Sequence, residues 1–506
     1  ADIKVSAANR AEAEEFANRI QITVEQPAGA ICVRTDYPEQ RNSRNFSFSV
    51  NFDITIPDKA ALEVRNRFGA VSATGLGAGS QLLNGHGKLT LSDSRGNHRV
   101  ENSFGAIEIT NITGDVDVTG SNGAASVAQV TGGVVLRNRF GNVTMSRVAR
   151  AEVRNSNGAV EVADAGPAIV TNAFGSATLR NIRGNLTVRN ENGKLEVDTV
   201  EGEADLTATF GAVTFRDVKK RLAIRSSNGS VSGTLAGGPL SVRGSFGRVE
   251  ISEVAGFADV ETSNGNIVAR NLRAGARLET SFGSIDASDV TGNADAGTSN
   301  GRLLLRNVSG TLTARNSFGG VDIAQIGKGA RVNAGNGAVT ADTIGGELYV
   351  KTSFGRVRAS RVSGPLTVEN SNGAVHASEI QGSASVRTSF SGVTLSAIQG
   401  AMEVDNQNGA VEISGVPAGR CHSITARTSF SPIRVYLPES ASYDVTASTA
   451  FGRIRSDFPL TLSSGTPLGG EISSVSVDSK IGAGGCPLRL TNQNGNIEIL
   501  KGAPRP

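Results

Sequence analysis

The residues able to do acid–base or metal chemistry are few and scattered. Four histidines, His86, His98, His376 and His422, share no spacing that would bring two onto one metal. Close carboxylates occur at Asp115/Asp117 and Asp286/Asp289, the residue type that glycan-cleaving β-helix enzymes use as acid and base. Other acids, such as Glu108, Glu161 and Glu250, stand singly on columns expected to face outward. The Gly-rich stretches contain no GxxxxGK[ST] phosphate loop, and the calcium nonapeptide GGxGxDxUx is missing. Arg356, Arg358 and Arg361 form a local basic cluster whose chemistry suits an anionic glycan, although a solvated face needs no such ligand. With no Trp and 4 Tyr, sugar binding by stacking is disfavoured. These residues predict a protein that is not an enzyme, with no catalytic, cofactor or metal site.

The cysteines number three, Cys32, Cys421 and Cys486, and none sits in a CxxC pair. Cys421 and Cys486 share the irregular C-terminal part, where one bridge would staple the least regular coils. Cys32 stands at the other end, and is expected to be either free and buried or bonded to a neighbouring subunit. The chain opens ADIKVSAANR, without Met or an apolar signal core. It therefore reads as a mature exported chain, placed outside the cell or on its surface.

Composition narrows the classes further. Of 506 residues, 62 are Gly; hydrophobics make 38% and charged residues 19%, too apolar for a disordered chain. Gly has no three-residue period and Pro is scarce, which excludes collagen. A net charge of +3 lacks the basic excess of a nucleic-acid binder. No run of 18 apolar residues predicts a membrane-spanning helix.

The elements that position all these residues follow from one repeat. Phe-Gly and Asn-Gly alternate at Gly69, Gly87, Gly105 and onward to Gly373, then Ser391 and Gly409. Across these twenty units the marker returns every eighteen positions, and one position sooner at Gly158 and Gly175. Before the marker stand Phe68, Phe104, Phe140, Phe174, Phe210, Phe246, Phe282, Phe318, Phe354 and Phe390 in alternate units. The others carry Asn122, Asn157, Asn192, Asn228, Asn264, Asn300, Asn336, Asn372 and Asn408; only Gly85-His86-Gly87 departs. Apolar columns fall two, four, seven, eleven and thirteen residues after the marker, and Gly recurs nine after it. Spacings of two are strand spacings, and nothing here carries a helical period.

Short strands at one fixed period predict an all-β, right-handed parallel β-solenoid, the hand following from the usual hand of parallel crossovers. The aliphatic and Phe columns are expected to point inward, and the Asn column to form an inward ladder satisfying corner backbone groups. Like-on-like stacking then favours a coil of 36 residues, made of two 18-residue half-repeats, with Phe on Phe and Asn on Asn. That gives about 9 coils and a core roughly 45 Å long; an 18-residue coil would give roughly 90 Å. The column three before the marker mixes Thr262, Thr280, Thr298, Thr352 and Thr388 with Asn102, Asn155, Asn190, Asn316 and Asn370. As an outer Thr row it would suggest ice binding, but Arg and Glu flank it.

Three segments are expected. Residues 1–60 form a small α/β cap with a helix at Ala8–Arg19 and strands at Ile20–Val24, Ile31–Thr35 and Phe46–Ile56. Residues 61–414 hold the regular coils. Residues 415–506 hold irregular coils, interrupted by loops at Gly415–His422 and Ser463–Gly470. The chain's last strand, Asn496–Leu500, is expected to leave the stack open, with no cap helix.

The TSFGxVxxxxVxGxLxVxxSNG units resemble those of bacterial exported β-solenoid repeat proteins regarded as adhesins, a family of unknown function. Val50–Pro57 (VNFDITIP) is similar to that family's lead-in, as the ARTSFSPIRVYLPES stretch and LRLTNQNGNIEI are to its close. The likeness covers essentially the whole chain and implies a fold, with no catalytic residues to carry over. The expected function is structural: an extracellular subunit assembling head to tail with itself into a surface filament, because a solenoid end exposes strand edges. The alternatives are a monomeric adhesin or envelope-binding module, touching surface glycans or a host cell by its side, and, less favoured, a polysaccharide-active enzyme.

Overall fold

The computed structural model describes residues 1–38, 46–460 and 475–504. Residues 1–61 form one compact unit and 62–506 another. The first holds the one helix among the described residues, Arg10–Arg19, two residues shorter than expected because Asn9 caps it, its Oδ1 accepting from the Glu12 amide at 2.9 Å. Strands Asp2–Ser6 and Ser47–Asn51 pair antiparallel, as do Gln21–Glu25 and Cys32–Asp36. Phe16 packs on Phe46 and Phe48, with ring centroids 4.4 and 5.1 Å apart.

The second unit is a parallel β-solenoid of about 21 turns. At ~4.8 Å per rung it is roughly 100 Å long. Its coil is the single 18-residue unit, which corrects the expected pairing of two units per coil. Val249 pairs with Ile267, Ala258 with Ala276 and Thr262 with Thr280, each partner one unit further along the chain. Phe therefore lies over Asn at each step: Phe104 on Asn122, Asn122 on Phe140, Asn157 on Phe174. The like-on-like argument fails because it needs the rings to touch inside the core, and they are not in the core. The columns that do pack inside recur in every unit rather than in alternate ones.

One coil shows the pattern. Val249, Ile251, Val254, Ala258, Val260 and Thr262 are all buried. These are the predicted aliphatic columns, closed by the Thr/Asn column three before the next marker. Inward positions alternate within each strand, but Ile251 and Val254 are three apart. The residue between them that resets the alternation, Glu253, has a φ of 54°. The same position is left-handed in eighteen successive coils, Asp93 to Ala397, with φ between 50° and 61°. Eight of the eighteen are Asn or Asp, the residues that tolerate this conformation best. Several stack by amide-to-carboxylate bonds, as Asn111 Nδ2 does to Asp93 Oδ1 at 2.7 Å.

The marker glycines make the opposite corner. Gly175, Gly193 and Gly211 have φ of 125°, 136° and 117°, a region closed to side chains. A Cβ on Gly193 would also land on the carbonyl oxygen of Gly175, one coil below.

The C-terminal end corrects the expectation that Asn496–Leu500 is the outermost rung. Ile424–Thr428 pairs with Pro487–Asn492, which in turn pairs with Tyr443–Thr449. Ile433–Leu437 pairs with Ile497–Lys501, and that with Ile454–Ser456. The later segment is thus slotted beneath the earlier one. Val475–Ile481 then lies antiparallel along the outer edge of Tyr443–Thr449. Its own edge carries Asp478 and Lys480, and among the described residues the other sheet ends on the three-residue strand Ile454–Ser456. Charges and short strands are the usual means of blunting an edge. The loop expected at Ser463–Gly470 lies outside the described residues.

Candidate functional site: an exposed aromatic row

Each Phe-Gly or Asn-Gly pair sits on a turn, with Ser commonly before it and Gly at its end. Strand alternation would turn Phe and Asn inward, two residues after the buried Thr/Asn column. The Gly corner breaks that alternation, so both columns face out. Phe104, Phe140, Phe174, Phe210, Phe246, Phe282, Phe318 and Phe354 are all exposed, from 48% for Phe140 to 66% for Phe282. Phe68, Phe390, Phe430 and Phe451 extend the row. Asn122, Asn228, Asn264, Asn300 and Asn336 are likewise exposed, and Asn157, Asn192 and Asn372 half-buried. They form no Asn ladder, since Phe separates them. Instead Asn122 and Asn192 each reach back to a backbone carbonyl, of Ser103 at 3.2 Å and Ala173 at 3.1 Å.

The inward ladder is the column once weighed for ice binding, and it is buried. Asn316 Nδ2 donates to the Gly301 carbonyl at 2.8 Å while its Oδ1 accepts from the Gly319 amide at 3.1 Å. Thr298 Oγ1 donates to the Gly283 carbonyl at 2.8 Å and accepts from the Gly301 amide at 3.2 Å. These side chains satisfy corner groups of two adjacent coils at once.

The exposed row keeps its alternation where chain order breaks. Sequence order reads Phe430, Phe451, Asn494. The inserted strands place Asn494 between the two rings: its amide donates to the Ser429 carbonyl at 2.7 Å, and the Phe451 amide donates to the Gln493 carbonyl at 2.7 Å. Twelve rings and eleven intervening rungs result. Ring-to-ring spacing is two rungs, about 9.6 Å. At the first gap the rung holds His86, stacked between Phe68 and Phe104 with centroids 4.9 and 4.7 Å away and planes within 9° and 5° of parallel. There the ring faces look along the row, and their edges face solvent.

The other candidate residues are not brought together. Asp117 pairs with Arg137 at 2.9 Å, and Asp115 accepts from the Gly133 amide at 2.7 Å. Asp286 pairs with Arg270 at 2.6 Å. Asp289 accepts from Asn307 at 2.7 Å and Ser288 at 2.8 Å, and these bonds lower its pKa, the wrong direction for a general acid. His98 is buried, its Nδ1 2.8 Å from Ser80 Oγ and its Nε2 without a partner. Desolvation lowers its pKa. Burial and then Arg356 and Arg358 do the same for His376, which stacks in register on Arg358. Arg361 pairs with Asp342, leaving Arg356 and Arg358 exposed. Among the described residues no three metal-ligating side chains cluster, and no helix is long and apolar enough to cross a membrane.

Cys421 and Cys486 form a disulfide with Cα atoms 5.3 Å apart. Cys32 is free and exposed, which corrects the buried alternative. Comparison with known proteins yields no match to a family model, a curated protein or a solved structure. The exposed row was missed because Phe was assigned to the core on hydrophobicity. The signal against that was local: Gly or Ser after every Phe of the row, and Ser before most of them, mark a turn, and turn residues face water.

Proposed function

We propose that this chain is an exported structural or adhesive module that works through the long side of its solenoid. The observation that carries the reading is the row of twelve exposed phenylalanines. Singly scattered surface hydrophobics need no explanation, but a regular row of this length does. The Cys421–Cys486 bridge supports an oxidising, extracellular setting, and so does the likeness of the repeats to exported adhesin-type solenoids. The blunted C-terminal edges weigh against the head-to-tail filament. Electron microscopy of the purified protein tests this. Rods that stay one solenoid long at high concentration are expected. Long filaments with an axial repeat near one solenoid length would restore the end-to-end polymer and sink the side reading.

A further inference from the structure

We propose that the Phe/Asn row is a self-complementary comb that pairs side by side with the same row of a second copy. The inference rests on the side reading above and names the partner. Rings of one copy enter the Asn rungs of the other, which number ten, since His86 already fills the eleventh.

Three observations fix the occupant. The first is slot size: His86 already fills one such rung, stacked 4.9 and 4.7 Å from the flanking rings, so a planar ring fits between two phenylalanines two rungs apart. Asn is shorter than Phe, so on the other rungs the outer part of the slot stays open to an incoming ring. The second is period. A partner must offer flat apolar groups about every 9.6 Å over many repeats, and this chain's own row does so by construction. The insertion of the Asn494 coil between Phe430 and Phe451 keeps that period where chain order alone would break it. The third is area. Ten half-exposed rings seated in ten slots offer roughly 1,000 Å² on each copy and ~2,000 Å² over a pair, beyond the ~1,600 Å² of a standard stable interface. Flanking Ser, Ala and Gly, as at Ser281, Gly283, Ser317 and Gly319, let the two corners approach. An antiparallel pair is isologous and closes as a two-fold dimer. A glycan lying along the row is the poorer fit, because the rings at its start present edges to solvent and faces to each other.

Sedimentation equilibrium and small-angle scattering on the full chain test the comb. The wild type is expected to be a dimer of unchanged rod length and doubled mass per length. Combining Phe210→Ser, Phe246→Ser, Phe282→Ser and Phe318→Ser should weaken pairing by about 100-fold or more. Its circular dichroism should not change, because these rings face outward in each copy, and its melting temperature should lose the concentration dependence that the dimer gives the wild type. The sharper variant fills slots: Asn228→His, Asn264→His and Asn300→His copy the His86 rung and leave every Phe in place. Interdigitation predicts that it dissociates the dimer, whereas unspecific hydrophobic association would persist or tighten. A monomeric wild type at the highest attainable concentration, or a slot-filled variant that pairs as tightly as wild type, would overturn the comb. Single short rods that are monomeric would end this proposal and leave the side reading standing. Long filaments would end the side reading itself.

Discussion

Phe, Asn and His each occur on both sides of the solenoid wall, and the same side chain does different work on each side. Phe215 is 1% exposed in the core, while Phe282 is 66% exposed on the outer row. Asn370 lies inside and bonds corner glycines, while Asn372, two residues on, stands outside. His98 is enclosed beside Ser80, while His86 is stacked between rings at the surface. Column position, set by the Gly corner and the left-handed corner, decides the role; residue type does not.

The widest gap should separate the phenylalanines. Phe215→Ala is expected to cost about 3–5 kcal/mol in denaturant unfolding, the range for emptying a core aromatic site. In the separated copy, Phe282→Ala should stay within about 0.5 kcal/mol, as surface changes do. A second test sits on the same packing. Gly233 occupies the coil next to Phe215, and a Cβ there would meet the ring. Gly233→Ala is therefore expected to cost about 1–3 kcal/mol, less when combined with Phe215→Leu. Equal costs for Phe215 and Phe282 would erase the inside–outside distinction.

The asparagines come next. Asn370 donates to the Gly355 carbonyl at 3.1 Å and the Gly373 carbonyl at 2.6 Å, both within the corner. Asn370→Ala leaves these acceptors short of a partner and should cost about 2–3 kcal/mol. Asn372→Ala should cost under about 0.5 kcal/mol. Hydrogen exchange would localise the first loss to adjacent corners. An Asn372 effect as large as that of Asn370 would mean the outer column also holds the corner together.

The smallest effect is the histidine pair's, and its sign is fixed. Burial lowers the His98 pKa in the folded chain. The unfolded chain then binds more protons below about pH 6.5. The His98 contribution is thus intact above that pH and falls as pH drops below it. His98→Leu should flatten this acid-side slope, measured as melting temperature against pH from 7 down to 5. A slope that survives His98→Leu unchanged would assign the acid sensitivity to other groups.

Much of the solenoid was legible because its inner columns are aliphatic at strand spacing, as Val249, Ile251, Val254, Ala258 and Val260 show. The pairing of Cys421 with Cys486 was also readable, from their shared place in the irregular coils. Coil size was not, since Phe104 and Asn122 alternate outside, where stacking of like on like is not required. The outward turn of Phe282 was hidden for a related reason. Strand alternation was carried through Gly283, where the backbone changes direction. The end of the stack was illegible because spatial order and chain order part company at Pro487–Asn492, and no local pattern records which rung a strand will join. The left-handed column had a weak signal in its Asn and Asp, but Leu235, Thr199 and Arg361 hold the same φ, so geometry there is imposed by neighbouring rungs.

The slotted C-terminal segment has a consequence for how the molecule is made. Tyr443–Thr449 leaves the ribosome before Pro487–Asn492, yet rests upon it. Coils below can wind up in order of synthesis, each templated by its predecessor. The outer rung must wait until its own support has emerged, with Cys421 held unpaired until Cys486 arrives. Closure of this end is therefore a late, long-range event in an otherwise sequential assembly, and the slow step of folding is expected there.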